Sequence, residues 1–154
     1  MDTVVLRPGN LYGPFDKFDW KESKVIAALI RRAIERHDPI IIWGDGSDIK
    51  DFLYIADFVE GALLAMSSNG SVKLFNIASG KATTIRDVLS LVLVAAEYED
   101  AKLEYDVSKP TMIPKRMINV SRAEKILGWK PRTSLADGIK TTVNWFKEYA
   151  NSFV

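Results

Sequence analysis

An α/β fold is predicted from three observations. Short apolar runs rich in β-branched residues, Thr3-Val4-Val5-Leu6, Ile40-Ile41-Ile42-Trp43 and Leu74-Phe75-Asn76-Ile77, have the length of strands. Longer segments between and after them repeat their apolar residues at helical spacing. Strand and helix signals therefore alternate along the chain, which is the pattern of α/β proteins.

The elements follow in order. The first run lacks polar alternation, which predicts a strand buried on both faces, as in a parallel sheet. Residues 10–21 read as loop, because Gly, Pro and Asp mix with Tyr12, Phe15, Phe18 and Trp20. A helix is expected over 23–36, with Ser23 as its cap and Val25, Ile26, Leu29, Ala33 and Ile34 on one stripe. Asp38-Pro39 ends it, since the residue before proline is pushed out of the helical region. Ile40 to Trp43 form the second strand, Gly44-Asp45-Gly46 a turn, and residues 51–55 a brief strand. Asp57 is expected to cap a helix reaching about Ser67, with Val59, Leu63 and Met66 inward and Asn69-Gly70 as its break.

Three later helices are marked by a hydroxyl three residues before an acid: Thr84 with Asp87, Ser121 with Glu124, and Ser134 with Asp137. The hydroxyl accepts from an orphan amide of the first turn, while the acid favours the positive helix end. The segment after Thr84 is apolar nearly all round, so a deeply buried helix is expected. The last helix places Leu135, Ile139, Val143 and Phe146 on one face and is expected to fray near Asn151. Residues 109–115 contain two prolines and read as loop.

At 154 residues the chain is one domain of ordinary size. It is 47% apolar and 27% charged, which argues against disorder. Lys plus Arg is 21 and Asp plus Glu is 20, so the large basic excess of a nucleic-acid binder is missing. There is no cysteine and a single histidine, His37, which excludes a disulfide framework and Cys- or His-rich metal sites. No apolar run is long enough to span a membrane, and no signal-peptide layout opens the sequence. A soluble, cytoplasmic protein is expected.

No self-contained catalytic set can be assembled. Gly9 and Gly13 do not make a G-x-G-x-x-G fingerprint, and His37 beside Asp38 reads as a solvated helix-end residue. What stands out is a set of basic and aromatic residues on or near loops: Arg31, Arg32, Trp43, Lys50, Lys102, Lys109, Lys115 and Arg116. Such loops are where α/β folds bind ligands. A nucleoside diphosphate needs cations for its phosphates and flat surfaces for its base. Scattered solvated cations are the alternative reading.

Several segments carry a family resemblance. Arg7-Pro8-Gly9-Asn10-Leu11-Tyr12-Gly13-Pro14 resembles a turn of the extended short-chain dehydrogenase/reductases, the NAD-dependent epimerase/dehydratase family that acts on sugar nucleotides. Trp43-Gly44-Asp45-Gly46, Asp51-Phe52-Leu53-Tyr54, Phe75-Asn76-Ile77-Ala78-Ser79-Gly80, Ser108-Lys109-Pro110, Val120-Ser121-Arg122 and Leu127-Gly128-Trp129-Lys130-Pro131 extend the likeness, which is strongest to the GDP-L-fucose synthase branch. The resemblance implies the C-terminal, substrate-binding part of such an enzyme, with strands that belong to a Rossmann-type sheet.

The resemblance also implies roles. Pro8, Gly9 and Leu11 would pass the nicotinamide end of NAD(P), and Asn10 would hydrogen-bond the substrate. Arg32 would bind the diphosphate, Trp43 would lie beside the nucleotide, and Arg116 would add a cation. Lys50 stands where the family carries arginine, keeping charge without the bidentate fork. Lys102 is a further cation candidate. Lys24 occupies a histidine position beside the cofactor, where a charged lysine cannot accept a hydrogen bond. The implied partner is a nucleotide-sugar, GDP-linked by preference and UDP- or dTDP-linked as alternatives, with no nucleic acid and no membrane.

The family's G-x-x-G-x-x-G loop and its helical Tyr-x-x-x-Lys pair have no counterpart here. Tyr105 and Lys109 have the spacing, but Pro110 argues against a helix. The N-terminal NAD(P)-binding part is accordingly expected to be absent, and the chain to be inactive alone with no tightly held cofactor. A non-catalytic assembly module is the alternative. In either case open apolar strand edges predict a homo-oligomer.

Overall fold

The computed structural model describes residues 3–68, 73–109 and 113–149. Strand β1 (Val4–Pro8) runs almost directly into β2 (Asn10–Tyr12), followed by helix α1 (Val25–Ile34), β3 (Ile40–Trp43), β4 (Ile49–Lys50) and β5 (Phe52–Tyr54). Helix α2 (Ile55–Ser67), β6 (Lys73–Ile77), β7 (Thr83–Thr84), α3 (Ile85–Ala96) and β8 (Leu103–Asp106) come next. Helices α4 (Ser121–Leu127) and α5 (Leu135–Tyr149) complete the described chain.

The strands form four pairs. β1–β6, β2–β5 and β3–β8 are parallel, and β4–β7 is antiparallel. The fold is thus α/β, as the alternation predicts. Two cores divide the interior. One gathers α1, α3 and α5 against β3 and β5 through residues such as Ile30, Ile40, Val92 and Val143. The other packs Trp129 with Phe75, Ile77 and Leu53.

Gly9 is the point where the chain changes partner. Its amide still bonds to Ile77 of β6, while the Asn10 amide bonds to Asp51, ahead of β5. A Cβ at Gly9 would stand 3.1 Å from Ala78 Cβ and 3.3 Å from the Asp51 carbonyl. A side chain would force these segments apart, so the close crossing selects glycine.

Several expectations fail for identifiable reasons. β1 is not buried on both faces: Val4 and Leu6 pack against the second core, while Val5 points to the opposite face and is 49% exposed. Residues 10–12 are strand rather than loop, ordered by β5. Ser23 does not cap α1; Lys24 occupies that position with no side-chain bond. Asp57 lies inside the first turn of α2, whose cap position is Tyr54. On α2 the expected inward residues Val59, Leu63 and Met66 are exposed, and Asp57, Gly61 and Ala65 are buried instead. The bulky Trp129 lies against Gly61, so the small side of this helix faces the core.

The capping boxes divide. Thr84 Oγ1 accepts from the Asp87 amide at 3.1 Å and the Asp87 carboxylate accepts from the Thr84 amide at 3.1 Å. Ser134 Oγ likewise accepts from the Asp137 amide. Ser121 does not cap, because it is already helical and its own amide donates to Asn119 Oδ1. Helix α3 is buried as expected, apart from positions such as Val94. The predicted break at Asn69-Gly70, the loop centre at 110–112 and the fraying near Asn151 lie outside the described residues.

Candidate functional site

Helix α1 links two groups of candidate residues. Lys24 precedes its first turn and Arg32 lies eight residues on, about 12 Å along the axis. At the Lys24 end, Asn10, Leu11 and Lys24 line a cleft of ≈ 240 Å³ whose floor includes Phe52. Leu11 and Lys24 also line a neighbouring cleft of ≈ 460 Å³ that reaches Phe15 and Tyr54. Asn10 is held in place: its amide and its Nδ2 both donate to the Asp51 carbonyl, each at 2.9 Å. Its side-chain oxygen has no described partner and is left to accept.

Along α1, from Ser23 to Arg32, runs a cleft of ≈ 450 Å³ that Trp20, Trp43 and Lys50 also line. The adjacent arginines differ in availability. Arg31 is committed, donating to Glu35 at 2.6 Å and to the Phe18 carbonyl at 2.8 Å. Arg32 is half-buried, 5.4 Å from the Trp20 ring centroid, and has no carboxylate partner among the described residues. Burial pulls its guanidinium below the usual arginine range. A cation held in this state gains from an arriving anion.

Lys50 is less free. Its ammonium pairs with Asp48 at 3.0 Å and also donates to the Ile113 carbonyl. Trp43 ends β3 with 59% of its surface exposed, a flat face beside the cations. Lys109 Nζ stands 5.9 Å from its ring centroid.

Four candidates fall elsewhere. Lys102 is exposed, 3.5 Å from Asp38, and lines neither cleft. Arg116 is exposed, and it is its backbone amide that bonds to Ile49 next to Lys50. Pro8 ends β1 on the exposed side, and Gly9 is filled against Ala78 and Asp51.

The NAD dependent epimerase/dehydratase family model matches residues 1–78. The chain belongs to this family. Curated relatives of the epimerase/dehydratase family match along nearly all of it. GDP-L-fucose synthase 1 of Arabidopsis thaliana is 34% identical over 94% of this chain and 46% of its own length. A dTDP-4-dehydro-6-deoxy-D-allose reductase of a Streptomyces species is 29% identical over 95% of this chain and 44% of its own. Among solved structures, UDP-glucose 4-epimerase of Thermotoga maritima, with UDP-glucose, aligns at a TM-score of 0.84. It is 30% identical and covers 96% of this chain and 46% of its own. The GDP-L-fucose synthase-like branch expected from the motifs is thus the one the relatives support. The chain spans about half the length of the curated relatives it matches.

Within an epimerase/dehydratase, NAD(P) supplies and receives the hydride. The residues present fit a contact with one end of such a dinucleotide. Leu11 and Lys24 flank open clefts, but among the described residues no glycine-rich turn or unpaired arginine at that end offers a cradle for its phosphates.

Tyr105 lies on β8 and Lys109 beyond its end, so they do not share a helical face. A second match to that spacing, Tyr98 to Lys102, is also non-helical. Tyr98 donates to the His37 carbonyl after α3 has ended. Tyr12, buried between the clefts, has its phenol pushed well above the usual range, by desolvation first and then by Asp57. It is a poor proton donor in this state.

Sequence reading missed Asp51. This carboxylate is fully buried and accepts from the Ser79 amide and hydroxyl, both at 2.7 Å, and from the Gly80 amide at 2.9 Å. The motif Asp51-Phe52-Leu53-Tyr54 carries no local signal of what its acid joins, because Ser79 and Gly80 lie 28 and 29 residues on. Among the described residues there is no group of three side chains arranged to hold a metal. No described helix is long and apolar enough to cross a membrane.

Proposed function

We propose that this chain carries the nucleotide-sugar side of an NAD(P)-dependent epimerase, reductase or dehydratase site, acting in the cytoplasm. Arg32 carries the argument, as a half-buried guanidinium without a described carboxylate partner that opens onto a cleft. In this reading Arg32 holds the diphosphate while Lys50, already paired with Asp48, adds only its charge on the same cleft, Trp43 lies along the nucleoside, and the free oxygen of Asn10 faces the sugar. Leu11 and Lys24 border the nicotinamide. The preferred ligand is a GDP-sugar, with UDP- and dTDP-sugars as alternatives. The relatives named above act on GDP-, dTDP- and UDP-sugars, which supports all three nucleotides.

The 154 residues contain neither a G-x-x-G-x-x-G loop nor a helical Tyr-x-x-x-Lys pair. Hydride and proton transfer therefore require residues beyond these, and the chain alone has no turnover. Calorimetric titration with GDP is the direct test. Binding that falls roughly tenfold or more in Arg32→Ala supports the reading. Equal binding by both proteins, or none by the wild type, defeats it. Sustained turnover of a sugar nucleotide with NAD(P)H by the 154-residue chain would refute the inactive state.

A second reading, a non-catalytic module that assembles with a second copy, is favoured by α2. Its exposed row Val59, Leu63 and Met66 is uncharged, so a second copy offers a matching surface. Light scattering should then show a dimer or larger species that Leu63→Glu converts to monomer. A wild-type monomer would end this reading.

A further inference from the structure

The strand pairs β1–β6 and β2–β5 meet at Asp51, which is engaged at both of its ends. Its carboxylate accepts from the Ser79 and Gly80 amides and the Ser79 hydroxyl, just past the end of β6, at 2.7–2.9 Å. Its carbonyl accepts from the Asn10 amide and from Asn10 Nδ2, both at 2.9 Å. Gly9 closes the space between them: a Cβ there would lie 3.3 Å from that carbonyl and 3.4 Å from Oδ1. The residue is fully buried, so neither end has room to drift.

This arrangement fixes the sense of the Asn10 side chain. A carbonyl oxygen only accepts, so the nitrogen of the side-chain amide is the atom turned to Asp51. The amide oxygen is left over, and Asn10 stands in the wall of the ≈ 240 Å³ cleft. An amide free to turn would offer a donor as readily as an acceptor. Held this way, it accepts from a sugar hydroxyl and has nothing to offer a sugar carbonyl.

Resting on the nucleotide-sugar reading, we propose that Asp51 is a positioning residue of the site. Its carboxylate, anchored on Ser79 and Gly80, holds in place the carbonyl that orients Asn10 toward a hydroxyl of the sugar. Asp51 is wholly buried and acts only through Asn10. Arg32 lines a different cleft from Asn10, so the contributions of sugar and diphosphate are separable.

The test is calorimetric titration of the full chain with GDP-mannose and with GDP, read as the ratio of the two dissociation constants. A smaller folded fraction weakens both ligands alike and leaves this ratio unchanged. Asn10→Ala deletes the accepting oxygen and should weaken GDP-mannose about fivefold relative to GDP. Asp51→Asn keeps an oxygen for Ser79 but turns an N–H toward the Gly80 amide, and should shift the ratio about as far. The double variant should lose about fivefold rather than about 25-fold, because both changes remove the same interaction. Ser79→Ala withdraws one of the three donors to the carboxylate and should move the ratio in the same direction by about twofold.

A purely structural Asp51 would lower the melting temperature and leave the ratio at its wild-type value. That result in Asp51→Asn, or in Ser79→Ala should the first variant not fold, overturns the positioning role, while GDP binding that requires Arg32 keeps the nucleotide-sugar reading standing. Losses that multiply in the double variant also overturn it. A ratio unmoved by Asn10→Ala overturns it together with the sugar contact assigned to Asn10. Absence of nucleotide binding by the wild type overturns both the inference and the reading.

Discussion

Replacing Asp51 with alanine removes the one acceptor that ties the Ser79-Gly80 turn to the segment before β5. The carboxylate is wholly buried and receives three hydrogen bonds at 2.7–2.9 Å. The Ser79 hydroxyl can rotate to another acceptor, but the Ser79 and Gly80 amides cannot. Ser79 is half-buried and Gly80 exposed, so water can take up part of what these amides lose, and the cost is about 1–3 kcal/mol in all. That is still a visible share of the 5–15 kcal/mol typical of a whole domain. Asp51→Asn retains one accepting oxygen and should lose about half as much.

Urea denaturation followed by tryptophan fluorescence measures both. The midpoint should fall with the slope unchanged, because the surface exposed on unfolding is the same. The Asn10 ties would survive in either variant, since they end on the Asp51 backbone carbonyl. A loss below about 1 kcal/mol for Asp51→Ala would refute the view that this carboxylate holds the two segments together.

Other outcomes are equally specific. Thr84→Ala should cost about 1 kcal/mol in urea melts by deleting the capping box of α3. Asp87 is held below the usual carboxylate range by the Thr84 hydroxyl and then the Thr84 amide. A depressed folded pKa means this stabilisation is full above about pH 4 and lost as pH falls through the folded value. Thr84→Val should therefore flatten part of the acid slope in a melting-temperature series below about pH 4. Arg32→Lys keeps charge but not the planar fork, so GDP should bind less tightly than to wild type and more tightly than to Arg32→Ala, with melting temperature unchanged.

Local signals in the sequence were read best. The Thr84 and Ser134 caps involve residues three apart, and the buried stripes of α1 and α5 follow helical period. What failed depends on partners far along the chain. The apolar stripe of α2 is real, yet the face that packs is chosen by Trp129, whose indole donates to the Asp57 carbonyl and lies against Gly61. A rule that sends the largest apolar residues inward cannot see that. Strand β8 reads Leu-Glu-Tyr-Asp, too polar and short to register until β3 orders it. Ser121 shows the cost of a two-residue shift: Asn119, not Ser121, supplies the oxygen at that helix start.

The same dependence governs the candidate site. Arg31 and Arg32 are indistinguishable as letters, and only packing reveals that Glu35 and the Phe18 carbonyl consume the first. Lys50 is likewise discounted once Asp48 is placed beside it. Motif positions indicate which cations can meet a ligand, but the ion pairs decide which remain unsatisfied. By that measure Arg32 is the group with most to gain from a phosphate. Trp43 lines the same cleft, which is the pairing the nucleotide-sugar reading uses. A binding defect confined to Arg32→Ala would mark the diphosphate position, whereas one shared by Trp43→Ala would mark the nucleoside as well.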